Sequence, residues 1–560
     1  MRFQRLLRRF AALLLSSVLW GQTGSGNALE ARVRALYDEG RWADAAALAS
    51  SAPAPTASIM LYEGLALARL DQLSRASALF RQASRMFPRD QRFPLESAGI
   101  AYREKNFKRA KLLLHRALRL DPKDSYGNDF LATLYLLDGN LRAALQHWNR
   151  IHKPFLANVQ FQPEPVLSPI LRERVFDFSP GQVLTLEQVR MMRANLARLR
   201  VLSDVKLDLA PAGERFDLTV RSAGTSQALR GWPGRFLPML RSLPYQGIDI
   251  DFFNIQRRGI NFASLERWDP NKRRLSLDVS GPLRMHPKIE YHYFVDARDE
   301  QWNLQGTYHT ASPQLTELGL RRTEAGGYAE IGLSSRLQWT TGVTAAYRQF
   351  RHGDHSSYFL NGWTAELRNR LDYLLFDWPD RRASVSSWAA LHTGRVLTSL
   401  PSRLITMQGG MHATWYPQSA GDRYTVSLSA QSGASYGNLP LDEWFTLGME
   451  RDNAFELWFR GMSADRNGRK GAAPMGTQYG LARADVDRKV FEFPFVRLDA
   501  DSFFDSGKIS TPSGLFGSQK WLYASGLEAK VRTAGGVEFR FVYGWNLNSG
   551  RGVFYSAVSR

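Results

Sequence analysis

Phe459-Arg460-Gly461-Met462 and, further along, Phe503-Phe504-Asp505-Ser506-Gly507 are the two stretches on which the reading of the fold turns. The first is an Arg-Gly pair at the tip of a long connection. The second is an F-x-D-x-G run that ends a segment of alternating residues. Outward from them, from Leu243 to the C-terminus, apolar and polar residues alternate between Gly, Asn, Asp or Pro turns. Such segments run from Gly247 to Ile255, Gly259 to Trp268, Arg273 to Val279, Lys288 to Val295 and Gln314 to Arg321. Others are Leu404 to Trp415, Arg423 to Ser432, Trp521 to Val531 and Gly536 to Tyr543. Alternation over about ten residues is the pattern of a strand with one face toward lipid and the other toward a polar interior. A soluble sandwich also alternates, but aromatics at the strand ends, such as Trp268, Tyr291, Tyr293, Trp415, Tyr416, Trp521 and Tyr523, favour a membrane barrel.

Together the two stretches resemble the paired motifs of the outer-membrane protein 85 superfamily, which contains the Bam and Tam assembly barrels and the two-partner-secretion transporters. The resemblance implies a barrel of about sixteen antiparallel strands. Its loop between the eleventh and twelfth strands folds back into the lumen, where its arginine meets an aspartate of the wall. In this chain the pair is Arg460 and Asp505, flanked by Phe459, Gly461 and Met462 on the loop and by Phe503 and Gly507 on the wall. A charge taken out of water is tolerated only if it is paired. Five strand-like segments follow Met462, at residues 475–490, 494–505, 521–532, 536–546 and 551–559, as a sixteen-strand plan requires. The loop entry, Pro440 to Gly448 with Phe445, Leu447 and Gly448, also resembles the family's pattern. Met449 stands where a second glycine is usual and Met462 where the tip aromatic is usual. The final segment, Gly550 to Arg560, lacks a terminal aromatic, which leaves Phe554 or Tyr555 for recognition by barrel-insertion machinery.

The N-terminal third carries a different order. Bulky residues three ahead of an alanine recur as Trp42/Ala45, Leu73/Ala76, Phe107/Ala110 and Leu141/Ala144, placing the alanines 31, 34 and 34 residues apart. Gly64, Ala98 and Ala132 supply small residues in the first helix of each unit, and Phe80, Leu114 and Trp148 supply large ones in the second. Ala83 with Pro88 is echoed by Ala117 with Pro122. Small residues let paired helices approach closely, and proline cannot continue a helix. Residues 29–154 resemble tetratricopeptide repeats, whose stacked helix pairs bind peptides or proteins and perform no chemistry.

Between repeats and barrel, residues 165–225 read as a small α/β module. Thr185 with Gln188 opens a helix by a capping box, and Leu186, Val189, Leu196 and Leu199 form its buried stripe. Strands at Ser203 to Leu209 and Arg215 to Arg221 follow around the turn Pro211 to Glu214. The order resembles the back half of a POTRA domain, with Val201-Leu202 in place of the usual Gly-Phe. An edge strand there could pair backbone to backbone with an extended client.

Arg-rich Met1 to Phe10, the apolar run Ala11 to Gly21 and the small, polar stretch to Ala28 have the layout of a secretory signal peptide, residues 1–28. Residues 243–560 are then the outer-membrane barrel. The chain of 560 residues has no cysteine, so disulfides and thiolate metal sites are excluded. Its 73 Lys and Arg against 53 Asp and Glu give a net charge of +20 and favour anionic neighbours such as lipid phosphates and lipopolysaccharide; for an exported chain nucleic acid is not the expected partner. No His-Glu-x-x-His or Walker pattern is present, and His352 and His355 around Asp354 read as a polar turn. No catalysis, cofactor or metal is therefore expected. The resemblances imply a protein that collects an unfolded outer-membrane or secreted polypeptide, with accessory envelope proteins docking on the repeats. A polysaccharide export porin and a barrel-anchored receptor are the alternatives.

Overall fold

In the computed structural model, residues 27–224, 237–304, 307, 318–351, 357–419, 421–493, 496–533 and 537–559 are described. The expected signal peptide up to residue 26 lies outside them, as do His352, Asp354 and His355. The chain divides into two compact units, residues 1–134 and 135–560.

The first unit is helical: α1 (Asn27–Asp38), α2 (Trp42–Ser50), α3 (Ala57–Arg69), α4 (Leu73–Met86), α5 (Arg92–Arg103), α6 (Phe107–Leu120) and the start of α7 (Ser125–Leu137). Successive helices pack because their contact faces carry little bulk. A Cβ on Gly64 would sit 2.2 Å from the Phe80 ring, so α3 can lie on α4 only through a glycine. Ala76, Ala98, Ala110 and Ala132 are fully buried. Pro88 and Pro122 lie in the turns after α4 and α6. Left-handed residues recur at Gly40, Asp71, Lys105 and Gly139, the same intervals as the alanines. The helix–turn–helix geometry therefore repeats along with the sequence.

The second unit opens with α8 (Leu141–Trp148), in which Ala144 is buried, and an α/β module: β1 (Leu156–Phe161), α9 (Pro169–Val175), α10 (Leu186–Leu199), β2 (Leu202–Ala212) and β3 (Arg215–Gly224). The strand order is β1-β3-β2, with β1 parallel and β2 antiparallel to β3. Thr185 and Gln188 form the capping box, and Arg200 ends α10 in the left-handed region. The module's sheet starts at Leu156, ahead of the boundary expected at 165. Six residues of alternation followed by a proline-rich turn are too short a signal to read as a strand.

The rest is a closed barrel of eighteen strand segments. Two of these, Asp465–Arg466 and Arg469–Lys470, belong to an inserted loop. Two more, Gly247–Asp249 and Phe252–Ile255, are halves of one stave, β4, since both pair with β5 (Ile260–Arg267). The wall continues through β6 (Lys272–Pro282), β7 (Ile289–Trp302), β8 (Leu318–Gly332), β9 (Leu337–Arg351), β10 (Gly362–Trp378), β11 (Ala383–Thr398), β12 (Ser402–Trp415) and β13 (Tyr424–Tyr436). After the inserted loop come β14 (Gln478–Phe493), β15 (Val496–Ser510), β16 (Leu522–Thr533), β17 (Glu538–Asn546) and β18 (Arg551–Ser559). Among the described residues the wall thus has fifteen staves rather than the expected sixteen, and the loop follows the tenth rather than the eleventh. Ahead of Gly247, Leu237–Tyr245, carrying two prolines, is a 3-10 helix. With an odd number of antiparallel staves, β4 and β18 run in the same direction across the closing seam.

The wall is inverted relative to a soluble protein. Leu275, Leu277, Val279, Tyr293, Val295 and Leu527 are exposed on the outside, whereas Asp296, Glu300, Arg348, Asp501, Asp505 and Glu528 are buried inside. An apolar exterior around a charged interior suits lipid outside and water or paired charge within. Short turns close one end, and the α/β module sits there. The Ser168 amide donates to the Arg257 carbonyl at 2.7 Å, and Arg198 donates to the Pro287 carbonyl at 3.2 Å. Arg142 and Arg190 both grip Asp377 at the end of β10.

Candidate functional site: a loop pinned inside the barrel

The β13 and β14 staves pair directly, from Tyr424 opposite Arg488 to Ala434 opposite Gln478, so residues 437–477 are excluded from the wall. They are held inside by three groups of ion pairs. At the entry, Asp442 accepts from Arg348 at 2.9 Å, and Glu443 pairs with Arg348 and, at 3.2 Å, with Arg322. On either side of the tip, Asp452 binds Arg267 at 2.9 Å and Arg274 at 2.6 Å, Lys272 bridges Glu450 at 3.1 Å and Asp465 at 2.6 Å, and Lys470 reaches Glu300 at 2.7 Å.

The third group surrounds the tip. Arg460 donates through Nη2 to Asp505 Oδ1 at 2.6 Å and through Nε to Oδ2 at 3.1 Å, and its backbone amide donates to Oδ2 at 2.8 Å. Its Nη1 lies 2.6 Å from Asp485, 3.5 Å from Asp501 and 3.4 Å from Glu528. The guanidinium carbon stands 3.8 Å from the centre of the Phe503 ring. One buried cation therefore meets four carboxylates and an aromatic face contributed by β14, β15 and β16. The F-x-D-x-G parity produces this: Phe503, Asp505 and Gly507 face inward, while Phe504 is exposed outside. Lys530 in turn bridges Asp487 at 2.7 Å and Asp501 at 3.4 Å, so the acidic side of the group is not left bare.

Apolar contacts complete the dock. Phe445, Leu447 and Phe459 pack with Tyr479, Leu481, Ile509, Leu522 and Ala524, and Met462 lies against them. Gly448 and Gly461 are needed for close approach: a Cβ on either would come within 2.6 Å of an alanine methyl, Ala473 and Ala524 respectively. A Cβ on Gly507 would meet Leu481 and Leu447 at 3.2 and 3.3 Å. Met449 takes ordinary backbone geometry and is buried with Trp458, Phe503 and Val542, so a side chain fills the position where a glycine is usual. Its amide donates to the Met462 carbonyl at 2.8 Å, part of a parallel bridge to Ser463 that closes the loop on itself. Trp458 donates to the Glu450 carbonyl at 3.0 Å and stands edge-on to Tyr555 of the last stave.

Asp485, Asp501, Glu528 and the entry pair Asp442–Glu443 carry much of this site, yet sequence reasoning selected only Asp505 among the acids. Their signal was present as inward-parity carboxylates in Arg483-Ala-Asp-Val-Asp487 and Asp499-Ala-Asp501. The repeat residues chosen from sequence belong to the helical parts and take no part in the loop site.

No protein-family model matches the chain, and no curated protein matches it in sequence. Solved structures do match. BamA from Haemophilus ducreyi lacking POTRA domains 1–3 is 11% identical over 72% of this chain and 84% of its own, with a TM-score of 0.40. CdiB from Escherichia coli is 14% identical over 73% and 75% (TM-score 0.43), and CdiB from Acinetobacter baumannii 11% over 80% and 81% (TM-score 0.42). Superpositions this loose carry no functional argument.

Proposed function

We propose that this chain is an outer-membrane barrel that receives an extended polypeptide and inserts it into, or passes it across, the membrane. The observation that carries the reading is the lumenal loop. It is bonded to staves on opposite sides of the barrel and centred on Arg460 and Asp505. A passive conduit needs an open bore, whereas a loop held by three ionic groups occupies it and makes the barrel's shape depend on where the loop sits. The α/β module acts as a POTRA-like receiver in the periplasm: β2 is an edge strand whose free side can take up an extended client by backbone pairing. The helical pairs of residues 29–154 act as a tetratricopeptide-like platform for clients or accessory envelope proteins. No nucleotide drives the step, so folding of the client supplies the free energy. The closing seam between β4 and β18, where a stave broken into two short segments meets the last one, is the weak line of the wall.

Depletion of the protein followed by quantitative analysis of the envelope tests this. Loss of particular outer-membrane or secreted proteins with surface glycan unchanged is the expected result. Loss of an exported polysaccharide with the protein complement intact points to a conduit and overturns the proposal.

A further inference from the structure

The lumen holds a second cluster, away from the loop, at the barrel end that carries the α/β module. Glu290 and His292 lie two residues apart on β7 and both face inward. Glu330, directly opposite Glu290 on β8, faces the same way. His292 Nε2 is 3.8 Å from Glu290 Oε1 and 3.7 Å from Glu330 Oε1. The three donor atoms lie within 4.8 Å of one another. Glu290 and His292 are each 1% exposed. Neither ring nitrogen of His292 and neither carboxylate oxygen of Glu290 has a hydrogen-bond partner. Elsewhere in this lumen, buried carboxylates are met by Arg or Lys. Here the ion-pair contact of Glu290 is to the imidazole.

Buried, unpartnered polar atoms converging on one point are costly unless something binds there. We propose that Glu290, His292 and Glu330 form a binding site for a divalent transition-metal ion of zinc type. One imidazole with two carboxylates is a borderline donor set that suits zinc better than calcium or magnesium. At tetrahedral zinc such donors stand about 3.4 Å apart, so side-chain shifts of a few tenths of an ångström from the observed separations bring His292 and either glutamate into range. Water supplies the fourth position.

The surroundings are those of a metal ligand set. Asp278 Oδ1 is 3.9 Å from His292 Nδ1, beyond hydrogen-bond reach, and orients the ring from its other nitrogen only after a side-chain shift of about half an ångström. The Tyr328 ring stacks on the imidazole at 4.3 Å and 7° and fixes its plane. Gln338 donates to Glu330 Oε2 at 3.1 Å, leaving Oε1 turned to the site. Arg200, at the end of α10, is the competing cation, 3.8 Å from Glu330 Oε1. A bound metal displaces it, so metal occupancy releases the C-terminal end of the module's long helix from Glu330.

The test uses the full chain purified in detergent and titrated with Zn²⁺, with bound metal counted by elemental analysis. One zinc per chain is expected, and His292→Ala or the double variant Glu290→Gln/Glu330→Gln should abolish binding. Asp278→Asn should weaken it about tenfold or more, and Arg200→Gln should strengthen it. Zinc uptake that is absent from the wild-type chain, or unchanged in His292→Ala, overturns the proposal. Independently of any substitution, Co²⁺ in the wild-type chain should give visible absorption bands typical of low-symmetry nitrogen and oxygen ligation. A spectrum identical to aqueous Co²⁺ overturns it as well.

Discussion

The carbonyl oxygen of Arg460 rests on the bare Cα of Gly544: a Cβ built there would lie 1.6 Å from that oxygen. The arginine is therefore positioned by a backbone-to-backbone approach on β17 as well as by its carboxylates on β14 to β16. Nothing in the separation of these residues along the chain announces it. Gly544→Ala should release the loop as completely as Arg460→Ala, because the atom in the way is backbone and cannot rotate aside. Limited proteolysis of residues 450–475 in the detergent-solubilised barrel reads this out. Gly480→Ala, whose Cβ would have no neighbour nearer than 3.9 Å, is the control and should leave the cleavage pattern unchanged.

Arg460 and Asp505 should not be equivalent. Removing Asp505 leaves the guanidinium with Asp485, Asp501 and Glu528. Removing Arg460 leaves four carboxylates close together, with Lys530 still on Asp501 and Arg540 on Glu528. Breaking a buried pair typically costs about 3–5 kcal/mol; Arg460→Ala should fall in that range and Asp505→Ala below it. In a double-mutant cycle the two losses should couple by roughly 0.5–3 kcal/mol. Equilibrium unfolding in detergent or lipid measures all three variants, and additive losses would count against direct contact.

Asp377 holds the α/β module to the barrel through two arginines, Arg142 of α8 and Arg190 of α10. Asp377→Ala should loosen the module without unfolding the wall. Hydrogen exchange should rise in α10 and β1 while β14 to β16 stay protected.

On the outer face, Leu527→Arg places a charge where an exposed leucine stands at the middle of β16. A charge at the bilayer midplane costs about 2–4 kcal/mol, so this variant should fold poorly into lipid vesicles, with a smaller effect in detergent. Ser525→Arg, on the same face but nearer the end of the stave, should be milder.

Much of this architecture was legible because its signals are local. The 31- and 34-residue spacings, the capping box at Thr185 and the alternation of β6, β12 and β16 are written into short windows. The staves β9, β10 and β11 were not recognised as segments. In Leu337–Arg351 the inward and outward faces both carry Thr and Ala, and a period of two fades when small residues sit on both sides. Arg460 and Asp505 were legible as a motif. Their partners Asp485, Asp501 and Glu528 were not, because cross-strand register decides which inward carboxylates meet. The Glu290–His292–Glu330 cluster escaped for the same reason, since its third donor comes from the next stave. The strand total was expected at sixteen by resemblance, whereas the described residues give fifteen staves.

The proposed route takes a polypeptide from the module's edge strand to the barrel wall under control of the lumenal loop. Photoreactive residues at Leu207 on β2 and at Phe554 on the last stave, used in intact envelopes with wild-type and Arg460→Ala chains, test that directly. The prediction is capture of unfolded outer-membrane or secreted protein at both positions in the wild type. In Arg460→Ala, capture should persist at Leu207 and be lost at Phe554. Capture of glycan alone, or of no polypeptide at either position, would contradict it.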